Sequence, residues 1–191
     1  MSSPASARID VTRTHLELRA IDEFRPVRAL TRSASVHRLR PVSAAQYRAL
    51  YGGVGAQWLW RDRLVWSDDE LETYLASPNI HVWMLTVATQ TAGYFELQHH
   101  PNDTVELMYF GLVPAFIGQG LGGWLLTCAV EEAFSLGASR MILNTCSLDA
   151  PHALPNYLAR GFTIVREERY TVDLPERSAA ESSTAGAHPS A

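Results

Sequence analysis

Four glycines, at 118, 120, 122 and 123, fall between the β-rich run Val105 to Val113 and the apolar series Leu121, Leu125 and Cys128, which has helical spacing. Pro114 ends the strand, because it has no N–H to give to a sheet ladder. Small residues at the start of a helix leave backbone N–H groups open to a ligand, and the helix dipole favours an anion there. The chemistry offered is phosphate binding. One carboxylate, Glu106, interrupts the strand before the turn. Simple alternation puts Val105, Leu107 and Tyr109 on one face and Glu106, Met108 and Phe110 on the other, and neither face reads as solvated. Glu106 is expected to be partly desolvated and available as a general base.

These residues need a scaffold. The 191 residues amount to one domain. A first strand is expected over Asp10 to Arg19 and a second over Ser35 to Arg40. Ser43 with Gln46, and Ser67 with Glu70, have the spacing of capping boxes and predict two helices, the first stopped by Gly52 and Gly53. Ile80 to Ala88 and Ala92 to Gln98 read as a hairpin leading into the strand that holds Glu106. The helix from the glycine turn runs to about Leu136, with Gly137 as its stop. Then come a strand at Arg140 to Cys146, a short helix over Asp149 to Arg160, and strands at Phe162 to Val165 and Arg169 to Val172. This order predicts an α/β (α+β) fold, with a mixed, mostly antiparallel twisted sheet, about four helices and one parallel crossover at the glycine turn. Residues 9–174 are expected to form a single domain, with 1–8 and 175–191 as unstructured tails.

Composition excludes several chemistries. All 16 basic residues are arginine, so a phosphate-loop lysine, a Schiff base and a pyridoxal enzyme are ruled out. The net charge of −4 argues against a nucleic-acid partner. Cys128 and Cys146 sit in apolar patterns and read as reduced core residues. No run reaches the roughly 18 apolar residues of a membrane span, so a cytoplasmic protein with no membrane partner is expected. His99, His100 and His152 have no ligand spacing, and no metal is expected.

At Gly120 a resemblance can be named. LVPAFIGQGLGGWLL resembles the acyl-CoA-binding motif of the GNAT N-acetyltransferase superfamily, Arg/Gln-x-x-Gly-x-Gly/Ala, on Ile117, Gly118, Gln119, Gly120, Leu121 and Gly122. Ala153-x-x-x-Tyr157-x-x-x-Gly161-Phe162 resembles the second signature of that family, and the bacterial small-molecule branch is the nearest likeness. The resemblance covers about residues 35–172. It implies acetyl-CoA as co-substrate, in a cleft between the two central strands. Its pyrophosphate would lie on the amides of Gly118, Gln119, Gly120, Leu121, Gly122 and Gly123, and its pantetheine beside Phe110 and Leu112, with Asn144 as a further polar contact. Ile117 departs from the pattern where the family has Arg or Gln. The resemblance also implies Glu106 as the general base and Tyr157 as the proton donor to the departing thiolate. Asp149 reads equally as a helix cap.

The acceptor side is implied to lie in the segment between the first two helices. There Trp58, Trp60 and Trp66 with Asp62 could hold a small cationic amine. The reading is therefore an N-acetyltransferase acting directly on a primary amine of a small molecule, with a homodimer as one option for its assembly. Its rivals are a non-catalytic acyl-CoA-sensing module and an acetyltransferase directed at peptides or aminoacyl groups.

Overall fold

The computed structural model describes residues 7–28 and 33–174. Its strands are β1 (Ala7–Leu18), β2 (Ala34–Leu39), β3 (Ile80–Val87), β4 (Gln90–His100), β5 (Thr104–Leu112), β6 (Arg140–Cys146) and β7 (Thr163–Leu174). The helices are α1 (Ala44–Gly55), α2 (Asp68–Leu75), α3 (Leu121–Ser135) and α4 (Ala153–Ala159). One sheet runs in the order β2-β3-β4-β5-β6-β1-β7, antiparallel throughout except for the β5–β6 pair. The mixed α/β architecture is the expected one. Local signals explain the helix starts. The Ser43 hydroxyl accepts from the Gln46 amide, and Ser67 and Glu70 close both halves of a capping box. Among the described residues no helix is long and apolar enough to cross a membrane.

Each face of the sheet carries its own core. Beneath α3 and α4, Leu16, Leu18, Phe95, Leu107, Leu125, Leu126, Met141 and Phe162 pack together. Beneath α1 and α2, Tyr47, Leu50, Tyr51, Leu71, Val82 and Tyr94 do the same. Cys128 and Cys146 are both free and half-buried.

The two ends of the chain depart from expectation. β1 starts at Ala7, so it takes residues 7 and 8 of the expected tail into the sheet, and it lies between β6 and β7. The remaining tail residues, 1–6 and 175–191, are outside the described residues. The two expected C-terminal strands are one continuous strand, β7. The charged stretch between them stays in register because its partners on β1 are complementary: Arg13 and His15 both reach Glu168, at 3.4 and 3.1 Å.

Two features of β5 set the geometry at the centre of the sheet. β4 and β5 pair as Glu96 with Tyr109 and then Leu97 with Leu107, so Met108 is an extra residue, a β-bulge. The bulge reverses the alternation. Val105, Leu107, Phe110 and Leu112 all join the core under α3, whereas Tyr109 joins the core under α1 and α2. Tyr109 and Phe110 therefore exchange the faces that simple alternation assigns them. Second, β5 and β6 pair only from Thr104–Arg140 to Leu107–Leu143. Beyond that point β6 stays paired with β1, through Asn144–His15, Thr145–Thr14 and Cys146–Arg13. The two central strands part, and among the described residues the backbone edge of Met108 to Leu112 on that side has no partner strand.

Candidate active site

The parting of β5 and β6 makes a cleft in the middle of the sheet, with the glycine turn at its mouth. A free strand edge inside a sheet can pair with the amides of an extended ligand. Gly118 and Gly120 have φ of 80° and 74°, in the left-handed region that glycine adopts at no steric cost. Gly120 is the N-cap of α3, and among the described residues no side chain caps that helix. A Cβ added at Gly118 would meet nothing within 4 Å, so the turn is open on its outer side. The Gln119 side chain donates to the Ala115 carbonyl at 2.8 Å and steadies the turn, while Leu121 is buried in the core. Ile117 is 44% exposed and contributes no charge at the mouth.

One lip of the cleft belongs to the α3 and α4 side. Tyr157 is 6% exposed and leans on Phe110, with ring centroids 6.1 Å apart, and on Phe162 at 6.0 Å. α4 tolerates Pro155 because it lies in the first turn, where its missing N–H has no intrahelical partner to lose. Burial pushes the Tyr157 phenol above its ordinary pKa, and the Asp149 carboxylate adds to the effect. Asp149 does not cap α4. It accepts from the Thr145 hydroxyl and the Cys146 amide, both at 2.8 Å, and closes the turn after β6. Asn144 is exposed on β6, and Leu112 is half-buried on β5.

The other lip belongs to α1, α2 and the loop between them. Asp62 accepts from Tyr51 at 2.5 Å and from Tyr109, and its residue remains exposed. The Trp60 ring sits 5.1 Å from Tyr109 and 5.6 Å from Tyr51. Behind this rim lies Glu96, fully buried, which accepts 2.5 Å hydrogen bonds from Tyr47 and Tyr74. Burial raises the Glu96 pKa, against the pull of the two phenols and Arg63. The Arg63 guanidinium stands over Trp66, Tyr74 and Tyr109, 4.1, 4.4 and 5.4 Å from the ring centres, and 4.0 Å from Glu96. Trp58 is half-buried and takes no part in this cluster.

Glu106 shares that side of the sheet but sits in the part of β5 still paired with β6, two residues before the bulge. Its carboxylate meets the His100 Nε2 at 2.8 Å, and both side chains are partly exposed.

The sequence model of the "Acetyltransferase (GNAT) family" matches residues 54–162, more than half of the chain. The chain belongs to the GNAT acetyltransferase family. Relatives agree on the fold. A GCN5-related N-acetyltransferase from Sphaerobacter thermophilus superposes with a TM-score of 0.64 at 13% identity, over 86% of this GNAT chain and 54% of the other. An aminoglycoside acetyltransferase from an uncultured soil metagenomic sample gives 0.58 at 14% identity, over 69% and 89%. A mycothiol acetyltransferase from Corynebacterium aurimucosum is 35% identical over 83 residues, 42% of this chain and 27% of that protein. The chain thus spans about a quarter of the length of that curated relative.

Acetyl-CoA is the co-substrate of the GNAT family, and the residues present fit it. Gly118 leaves open space just before the uncapped start of α3, where a pyrophosphate needs backbone amides. The free edge of β5 offers the pairing that pantetheine amides need. The sequence reading missed Glu96, Arg63 and the tyrosines at 47, 51, 74, 94 and 109. One signal for Glu96 was present: it is a lone carboxylate in the apolar run Ala92 to Leu97, the same pattern that drew attention to Glu106.

Proposed function

We propose that this chain transfers an acetyl group from acetyl-CoA to the primary amine of a small cationic molecule. One observation carries the reading. At the point where β5 and β6 part, the Met108 bulge sends Tyr109 to the Asp62 rim and Phe110 to Tyr157, so two chemically different lips meet across one cleft.

Acetyl-CoA supplies the activated acyl group. The glycine turn and the β5 edge hold it along the cleft, and Asp62 with Tyr109 and Trp60 draws a cationic acceptor to the opposite lip. Placing both reactants side by side provides much of the acceleration. Glu106 takes the ammonium proton, directly or through water, and its contact with His100 gives that proton a route toward solvent. The free amine forms the C–N bond as the C–S bond breaks, the nitrogen then sheds its second proton to water, and the departing thiolate takes a proton from water. Tyr157, protonated at every physiological pH, donates a hydrogen bond to the sulfur as negative charge develops there. A phenol raised above its usual ~10, against a thiol's ordinary ~8.5, stabilises the thiolate by hydrogen bonding more readily than by full proton transfer. The names of the mycothiol and aminoglycoside acetyltransferases support a small-molecule acceptor.

The test monitors thiol release from acetyl-CoA with a panel of amines. A cationic polyamine or amino sugar should give amine-dependent release that drops in Glu106→Gln and in Tyr157→Phe. Undiminished turnover in both variants would rule out these roles.

A further inference from the structure

The family motif places Arg or Gln where this chain has Ile117, yet the glycine turn does not lack a cation. Arg160 reaches it from α4. Its Nη1 lies 3.5 Å from the position a Cβ would take on Gly123, in the first turn of α3. Among the described residues its buried Nε has no hydrogen-bond partner and no carboxylate pairs with its guanidinium. The carbonyls at the end of α4 would welcome a cation, but the guanidinium makes no hydrogen bond to them.

A positive charge beside the positive end of a 15-residue helix is unfavourable without an anion, and a buried donor without an acceptor costs more. The surroundings add further positive charge. The Arg25 amide donates to the Arg160 carbonyl at 3.0 Å, and the Val27 amide donates to the Thr127 hydroxyl of α3 at 2.9 Å. The segment is thereby pinned beside α3, with Val27 3.5 Å from the same Gly123 Cβ position, and its Arg25 and Arg28 are both exposed and without an ion pair among the described residues.

We propose that Arg160 is a coenzyme-binding residue, whose guanidinium takes a phosphate of CoA at the glycine turn and so replaces the side chain missing at Ile117, with Arg25 and Arg28 adding longer-range attraction. The proposal rests on the acetyl-CoA reading of the cleft. It concerns binding only and asks nothing of the acyl-transfer step.

Calorimetric titration of CoA, 3′-dephospho-CoA and S-acetylpantetheine into the wild type, Arg160→Met and Arg160→Lys tests it. Methionine keeps the apolar stem and removes the charge. Arg160→Met should bind CoA about 10- to 100-fold more weakly, the worth of a hydrogen bond to a charged group. Arg160→Lys should recover part of the loss, and acetylpantetheine should bind all three proteins alike. An equal loss with dephospho-CoA assigns the contact to the pyrophosphate, and a loss confined to CoA assigns it to the 3′-phosphate. The ligand-free melting temperature of Arg160→Met should equal or exceed that of the wild type, because an unpaired cation is removed. Unchanged CoA affinity, or equal weakening of acetylpantetheine, would overturn the proposal. A wild type that binds none of the three probes would instead remove the acetyl-CoA reading itself.

Discussion

The two lips of the cleft are built on opposite plans. The lip proposed to hold the coenzyme is mostly backbone: a glycine turn, an uncapped helix start and a free strand edge, nearly all contributed by residues 105–126. The lip proposed to take the acceptor is made of side chains, with Tyr47 and Tyr51 from α1, Asp62, Arg63 and Trp66 from the following loop, Tyr74 from α2, Glu96 from β4 and Tyr109 from β5. Backbone amides recognise a phosphate whatever side chains surround them, so that lip can remain generic across a family. Side chains gathered from five elements are individually replaceable, and this is where a chain can become particular about its acceptor. A consequence is that stability should depend on the second lip and coenzyme affinity on the first.

The largest effect expected is on the acceptor side. Glu96→Ala leaves the buried Tyr47 phenol and the half-buried Tyr74 phenol without their acceptor and the Arg63 guanidinium without its nearby carboxylate, and should cost about 3–5 kcal/mol in urea unfolding. Because burial raises the folded pKa of Glu96, the stability tied to its protonation is complete below the unfolded value of about 4.3. It is lost as pH rises through the folded value. The gap between wild type and Glu96→Ala should therefore narrow as the pH is raised.

Tyr157→Phe tests the other lip without disturbing its shape. A drop in kcat of about 100-fold is expected, the lower end for losing one hydrogen-bond donor to developing negative charge. Since burial holds the phenol protonated above its usual 10, the loss should be uniform from pH 6 to 10. Gly120→Val forces a β-branched residue into the left-handed region. It should cost about 1–2 kcal/mol of stability and weaken CoA binding, leaving the acceptor KM unchanged. Asp62→Asn should do the converse, raising KM for cationic amines about tenfold, near the value of a hydrogen bond to a charged group, at constant CoA affinity. The smallest effect is expected for Ile117→Arg, which adds an exposed cation at the mouth and should tighten CoA binding by about two- to fivefold, the worth of an exposed charge pair.

The same contrast explains what the sequence made legible. The glycine turn, the Ser43 and Ser67 caps and the parallel crossover depend on neighbours within a few residues, so local pattern reveals them. The acceptor cluster depends on which strands adjoin and which way side chains point. Tyr109 could not be assigned to its face because the reversal comes from a bulge at Met108, which alternation alone does not reveal. β1 and β7 pair over nearly their whole length although they lie at opposite ends of the chain. Their charged residues look like loop until Glu168 is seen beside Arg13 and His15. Glu96 carried a visible signal but no visible partners, because Tyr47 and Tyr74 lie 49 and 22 residues before it.

Acetyl-CoA seated along the parted strands, with its acyl group between the two lips, is the central claim. Its most direct measurement is a paired titration of acetyl-CoA into the wild type and into Gly120→Val, with thiol release monitored on adding a cationic amine. Saturable binding in the wild type, weaker binding in the variant and amine-dependent thiol release are the predicted results. Equal affinity in the two proteins, or tight binding with no thiol release from any amine, would contradict the account.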